Sequence, residues 1–244
     1  MKDLNLDYLQ IYPLGDAAIV VQFGDDINLA TYTRVQNFAH YLECHPFTGL
    51  IEYVPAYTTV TIYYNPVALS RQGRQDPYAH VLIILQNALL LCSVATQTYT
   101  SREVIIPVCY GGDYGPDLAF VARHNQLTPE EVISVHTSGS YQVYMIGFAP
   151  GFPYLGGLDE QIATPRKETP RAVIPAGSVG IAGKQTGIYS IETPGGWQLI
   201  GRTPLLLFNP SIKQPSLLQA GDRVKFAAIT PKEFLQRKEQ QHEY

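Results

Sequence analysis

Apolar positions in the first 95 residues recur with two distinct periods. Ala17–Phe23 (AAIVVQF) is a short apolar run closed by Gly24, which predicts a strand. Over residues 28–44, Val35, Phe38, Ala39 and Leu42 fall at i, i+3, i+4 and i+7, the stripe of an amphipathic helix that ends near Pro46. Ile51–Val54 and Val60–Tyr64 are rich in β-branched and aromatic residues and flank a proline-containing bend, so they predict two strands. Asp76-Pro77 is a helix start, with an acceptor for the free amides and proline at the first helical position. The apolar run behind it predicts a buried helix to about residue 95. The order β-α-β-β-α, with room for a further strand near either end, predicts a small ferredoxin-like α/β domain.

From Arg102 the pattern changes. Val104–Val108 predicts a strand and Pro116–His124 a short helix. Thr128-Pro129-Glu130-Glu131 combines a capping box with proline at the first helical position, and that helix should end by Gly139. Tyr141–Phe148 alternates as a strand does. Beyond it, short strands and Gly/Pro turns recur to Lys225-Phe226, the pattern of a closed or nearly closed β-barrel with few helices. The predicted fold class is therefore α+β, with an N-terminal α/β domain over residues 1–97 and a C-terminal barrel domain over 98–244. The boundary is placed in the polar stretch Thr96–Arg102.

Composition narrows the class. Hydrophobic residues at 45% and charged residues at 16% describe a globular chain, and a net charge of −4 with no basic run argues against a dedicated nucleic-acid binder. The N-terminus MKDLNLDYLQIY lacks the apolar centre of a signal peptide, and the longest apolar run, Val81–Cys92, is too short and too broken to span a bilayer. Three widely spaced cysteines, with no C-x-x-C pair, read as buried free thiols in a reducing cytosol. The expected location is cytoplasmic, with neither membrane nor nucleic acid as a partner. His40 and His45 do not have zinc-site spacing, and no metal is expected.

Candidate chemistry concentrates between Gly147 and Pro204. Eleven of the 20 glycines, the only tryptophan and five basic side chains lie there, which suits rigid loops whose donors face an anion better than it suits a flexible linker. AGSVGIAGKQT fails as a phosphate loop, because Ser178 stands at the first glycine position and Gln185 at the magnesium-binding hydroxyl position. Arg166, Lys167, Arg171, Lys184 and Arg202 remain as cations able to grip a small carboxylate or phosphate; the alternative is ordinary surface charge. His136 is either a proton shuttle or a satisfied structural histidine at a helix C-terminus. Gln185 and Thr186, just past a tight glycine turn, either face a ligand or close the turn.

Read together, IPVCYGGDYGPDL, the 136–141 segment, GFAPGFPYLGGLD, PRKETPR, IPAGSVGIAGKQTGIYS and PGGWQLIGRTPLLLF resemble the family of 5-oxoprolinase B subunits (PxpB). That family includes the sporulation-kinase inhibitor KipI and is related to allophanate hydrolase subunit 1 and the urea carboxylase carboxyltransferase domain. GDAAIVVQFGDDI and IEYVPAYTTVTIYYNP extend the resemblance over the N-terminal domain. Two positions depart from it: Ser190 stands where proline often follows GIY, and Asn65 where aspartate often precedes proline.

The resemblance implies a cyclophilin-like C-terminal barrel and an ATP-using complex with 5-oxoprolinase subunits C and A that opens 5-oxo-L-proline to L-glutamate, this chain being inactive alone. It implies as an alternative a regulatory protein docking on a sensor histidine kinase, or another allophanate hydrolase- or urea carboxylase-like subunit. On the metabolic reading, His136, Arg166, Arg171 and Arg202 are the expected catalytic group. Ser178, Gln185, Thr186 and Tyr189, with the backbone at Gly195 and Gly196, are the expected contacts to a small anionic substrate.

Overall fold

The computed structural model describes residues 9–70, 76–94 and 101–241. The chain divides into two compact units between Thr100 and Ser101. The boundary expected after residue 97 lies outside the described residues, as does the N-terminal stretch up to Tyr8.

The first unit is a four-stranded antiparallel sheet in the order β1-β2-β4-β3, built from β1 (Gln10–Pro13), β2 (Ala18–Gln22), β3 (Leu50–Pro55) and β4 (Thr59–Tyr64). Three helices accompany it: α1 (Leu29–Cys44), α2 (Pro66–Leu69) and α3 (Pro77–Val94). The predicted α1 stripe is the buried one, with Val35, Phe38, Ala39 and Leu42 all in the interior. The Asn28 side chain caps this helix by accepting from the Thr31 N–H at 2.9 Å. Asp76 accepts from the Tyr78 N–H at 3.0 Å at the start of α3, as the Asp-Pro pair predicts. In β4, Val60, Ile62 and Tyr64 alternate inward and join Ile19 and Val21 of β2 under the two long helices. Asn65 caps α2 through Val67 N–H and Ala68 N–H, work that aspartate at this position would do equally well.

The second unit is a closed barrel of seven strands. In chain order its elements are β5 (Glu103–Tyr110), α4 (Leu118–His124), α5 (Pro129–Ser138), β6 (Tyr141–Ile146), β7 (Pro153–Gly156), β8 (Arg171–Ile174), β9 (Ser178–Ala182), β10 (Gln185–Ile188), β11 (Thr193–Gly195), β12 (Gln198–Arg202), β13 (Arg223–Ala228) and α6 (Pro231–Gln241). The barrel order is β10-β7-β6-β13-β5-β12-β9, while β8 and β11 pair separately as a two-stranded flap. β13 lies parallel to β5; the other barrel pairings are antiparallel.

Ile106, Val108, Val143, Val179, Ile181, Ile188, Ile200 and Val224 fill the barrel, and α4 and α5 pack against that core through Leu118, Val121 and Val132. The predicted capping box of α5 forms, with Thr128 N–H donating to Glu131 at 2.7 Å and Glu131 N–H donating to Thr128 at 3.2 Å. β9 is buried along its whole length, and β12 everywhere but at Arg202. A second cluster explains this: Phe152, Ile174, Ala182, Tyr189, Trp197 and Leu199 pack outside the barrel core.

Four expectations need correction. The helix expected to be buried, α3, buries Val81, Leu85 and Ala88 but leaves Ile83, Leu90 and Leu91 exposed. The helix expected from Pro116 starts at Leu118, because Asp117, at φ −101° and ψ 2°, is the non-helical residue that precedes it. The strand expected to Phe148 ends at Ile146, and Phe148 sits at a φ of 66° in a tight turn where strand pairing cannot continue. Cys44, expected to be buried, is exposed at the end of α1; Cys92 is half-buried and only Cys109 is fully enclosed. Among the described residues, no helix is long and apolar enough to cross a membrane.

Candidate functional site

The C-terminal unit separates the expected site residues into three places. The first is the barrel interior. His136 has no exposed surface. Its Nδ1 lies 2.8 Å from the Tyr110 hydroxyl and its Nε2 lies 3.0 Å from Thr186 Oγ1. Thr186 donates its own proton to the Gly180 carbonyl at 3.1 Å, so its oxygen must accept from His136 Nε2–H. Nδ1 then accepts from Tyr110. Burial takes the imidazole from its ordinary 6.5 down to about 3. Phe226 stacks on the ring with centroids 4.4 Å apart. Both nitrogens are committed and the ring is fully enclosed, so His136 and Thr186 form a satisfied interior network; the proton-shuttle reading gives way to the structural one.

The second place is a hub around Asp117, a residue the sequence motifs contain without singling out. Asp117 is 6% exposed. Its Oδ1 accepts from Arg171 at 2.8 Å and from Lys167 at 3.4 Å, and its Oδ2 accepts from the Leu199 N–H at 2.7 Å. Burial alone raises the Asp117 pKa. The Arg171 hydrogen bond, the Leu199 amide and the two cationic charges outweigh it, and the carboxyl sits below its usual range. The hub ties the PRKETPR loop and β8 to β12. Lys167 N–H donates to the Gly196 carbonyl at 2.7 Å, closing the other side of that loop.

Tyr189 lies beneath, in the outer aromatic cluster. Burial raises its phenol pKa, while its hydrogen bond to the Trp197 backbone and the charges of Arg166 and Arg171 act in the opposite direction. Gly195 is required here by packing, because a Cβ on it would collide with the Tyr189 hydroxyl. That explains this glycine without a ligand. Arg171, through one terminal nitrogen, and Lys167 thus share an internal carboxylate, while Arg171 Nη1 is buried with no hydrogen-bond partner among the described residues. Arg166, on the same loop, is exposed.

The third place is a cleft of about 170 Å³ where Arg202, at the end of β12, meets Ser190, Thr203, Leu206 and, from α6, Phe234 and Lys238. Arg202 donates from Nε to the Ala176 carbonyl at 2.8 Å. No carboxylate among the described residues lies within ion-pair distance of it. Burial lowers the Arg202 pKa, with Tyr114 and Glu192 opposing from a distance. Ser178 is the residue facing Arg202 across the β9–β12 register, but its hydroxyl turns away to donate to the Pro175 carbonyl at 2.7 Å. Ser190 lines the cleft and donates to the Pro150 carbonyl at 2.6 Å.

The remaining candidates sit apart. Gly183, at a φ of 60°, takes the first central position of the β9–β10 hairpin, the glycine place of a type II′ turn. The glycine-lysine pair that suggests a phosphate loop is therefore a hairpin tip, and Lys184 is paired with Glu160 at 2.6 Å on the surface. Gln185 opens β10, half-buried beside that tip. Lys238 escapes the sequence reading altogether. A signal for it exists in the chain, since Thr230-Pro231-Lys232-Glu233 repeats the start signature of α5, and Thr230 and Glu233 do form a capping box.

Comparison with known proteins agrees with this architecture. Residues 9–218 match the family model described as carboxyltransferase domain, subdomain C and D. The chain is 51% identical over 235 residues to the 5-oxoprolinase B subunit of Bacillus subtilis, covering 95% of this chain and 97% of that protein. Among solved structures, TTHA0988 superposes with a TM-score of 0.73 at 36% identity, covering 87% of this chain and 40% of that longer one. The Kluyveromyces lactis urea amidolyase shares the fold, with a TM-score of 0.70 at 22% identity over 96% of this chain and 16% of that one. By its near full-length match, the chain belongs to the family of 5-oxoprolinase B subunits, within the carboxyltransferase-domain proteins of subdomains C and D.

Proposed function

We propose that this chain is the B subunit of an ATP-dependent 5-oxoprolinase that opens 5-oxo-L-proline to L-glutamate, working with subunits A and C in the cytoplasm and inactive alone. The observation that carries the reading is the 51% identity to the B subunit of a 5-oxoprolinase across almost the whole of both chains. On the same reading, the first unit is a ferredoxin-like domain and the barrel a cyclophilin-like one.

A five-membered lactam is a resonance-stabilised amide that recloses readily, so its hydrolysis needs activation. Transfer of a phosphoryl group to the amide oxygen makes the carbonyl carbon electrophilic and couples opening to phosphate release. A protein assisting that step must present positive charge from a site partly shielded from water. In this chain the Arg202 cleft meets that description. The Asp117 hub does not, because its cations already have a carboxylate. Arg171 and Tyr189 are assigned to holding the wall behind the cleft strand, and Arg202 to the anion.

The test is reconstitution with subunits A and C, measuring ATP-dependent glutamate release while omitting each component in turn. Arg202→Ala is expected to lower turnover by ~10-fold or more, about 1.4 kcal/mol of barrier. Turnover undiminished when this chain is left out would remove the proposed function.

A further inference from the structure

The Arg202 cleft has features that go beyond a generic preference for anions. Nε is held by the Ala176 carbonyl, which anchors the guanidinium on one side and leaves its terminal nitrogens outside that bond, on a residue that lines the cleft. Thr203, 2% exposed, accepts from the Leu205 N–H at 3.2 Å through Oγ1, so its own proton is still available to donate. Ser190 differs, because its proton is already committed to Pro150.

The second cation comes from α6. Phe234 is 4% exposed and packs on Tyr114 with ring centroids 4.5 Å apart. Lys238 follows one turn later on the same face of the helix and reaches the cleft mouth. Lys238 enters no ion pair among the described residues. The whole of α6 lies beyond residues 9–218, the part matched by the family model.

We propose that this cleft is a phosphate site, with the Arg202 fork on two oxygens of a phosphoryl group, the Thr203 hydroxyl on a third, and Lys238 closing the mouth over the remaining charge. The donor set selects the class. A carboxylate has lone pairs enough for the same donors, but its single negative charge balances only one of the two cations. A tetrahedral dianion uses all three groups. Leu205, partly buried, gives the cleft an apolar wall, while Leu206 lines it from an exposed position. A half-buried guanidinium with no counter-ion is otherwise costly, which is the physical reason to expect an occupant. For its place in a reaction the inference rests on the function proposed above, whose chemistry must release phosphate; the binding itself does not.

The experiment titrates the isolated full-length chain with inorganic phosphate at low ionic strength by calorimetry, with acetate as the second arm. One phosphate per chain is expected, with acetate ~10-fold weaker or worse. Arg202→Gln should weaken phosphate binding by ~10-fold or more, and Lys238→Ala and Thr203→Val each by about 3-fold. Lys238 is exposed, so K238A keeps the test valid should R202Q fail to fold. Absence of saturable phosphate binding, equal affinity for acetate, or affinity unchanged in K238A and T203V would each overturn the proposal. None of those outcomes bears on glutamate release by the reconstituted complex, so the two readings fail separately.

Discussion

Two arginines from the same glycine- and proline-rich stretch have opposite fates. Arg171 faces Asp117 at 2.8 Å, shares it with Lys167 and helps to fasten a loop to the barrel. Arg202 has a backbone carbonyl for one nitrogen and an open cleft for the others. Each is partly buried, so each guanidinium has lost some of its water. The difference is whether the fold returned a carboxylate in exchange. A cation that received one has its charge balanced within the fold, even where, as at Arg171 Nη1, one nitrogen is left without a hydrogen bond; a cation that did not is unfavourable in the empty protein and available for an anion.

The largest expected effect tests the stability half of that comparison. Asp117→Asn removes the charge shared by Arg171 and Lys167 while keeping the shape. Breaking a buried pair from one side costs roughly 3–5 kcal/mol. Arg171 keeps about a quarter of its side chain in water, so the expected loss is smaller, ~2–3 kcal/mol. Urea unfolding followed by Trp197 reads it directly, because the only tryptophan of the chain lies in this unit. Arg202→Ala strands no carboxylate and should shift the same midpoint by less than ~1 kcal/mol. Equal losses in both variants would erase the distinction.

The next effect is a pH dependence with a known sign. In the unfolded chain His136 titrates near 6.5, whereas in the folded barrel it resists protonation until about pH 3. Between those values only the unfolded state takes up the proton, so stability falls as the pH is lowered through 6.5. The slope is ~1.4 kcal/mol per pH unit, or about 2 kcal/mol lost between pH 7 and pH 5. His136→Gln should lower stability at pH 7 yet flatten that slope. A slope unchanged by H136Q would mean that another group, and not the interior network, carries it. The Asp117 carboxyl, depressed below its usual range, contributes separately and only at lower pH, where its stabilisation is lost as acid protonates it.

The legible parts of this protein are those written in local pattern. The α1 stripe, the Asp76-Pro77 start and the Thr128 capping box each need no more than a few neighbouring residues, and each forms where the pattern predicts it. A barrel follows from the spacing of short strands and turns, though its strand order does not. Site residues are harder, since their roles depend on partners remote in sequence. Asp117 meets Arg171 from 54 residues away, and no periodicity marks that meeting. His136 looks the same in sequence whether solvent or Tyr110 stands beside it. Lys184 sits in a glycine-rich string that mimics a phosphate loop, yet it turns a hairpin. The helix carrying Lys238 is legible through its start signature, but no local pattern tells which cleft that helix closes.

The smallest expected effects bear most sharply on which arginine does the work. Arg166 is exposed on the loop that Lys167 and Arg171 fasten, and its charge reaches the Tyr189 phenol without a bond to it. Arg166→Gln should leave stability within ~0.5 kcal/mol of the parent, as surface substitutions do, and should change turnover of the reconstituted complex by no more than a few-fold. Lys184→Ala is the matched control, because its pair with Glu160 joins two exposed side chains and isolated surface pairs contribute little. Should R166Q instead cost ~10-fold in turnover while R202A costs nothing, the comparison inverts: the working charge would then lie on the exposed loop, where another protein of the complex would have to enclose it, and the cleft would be a structural hollow.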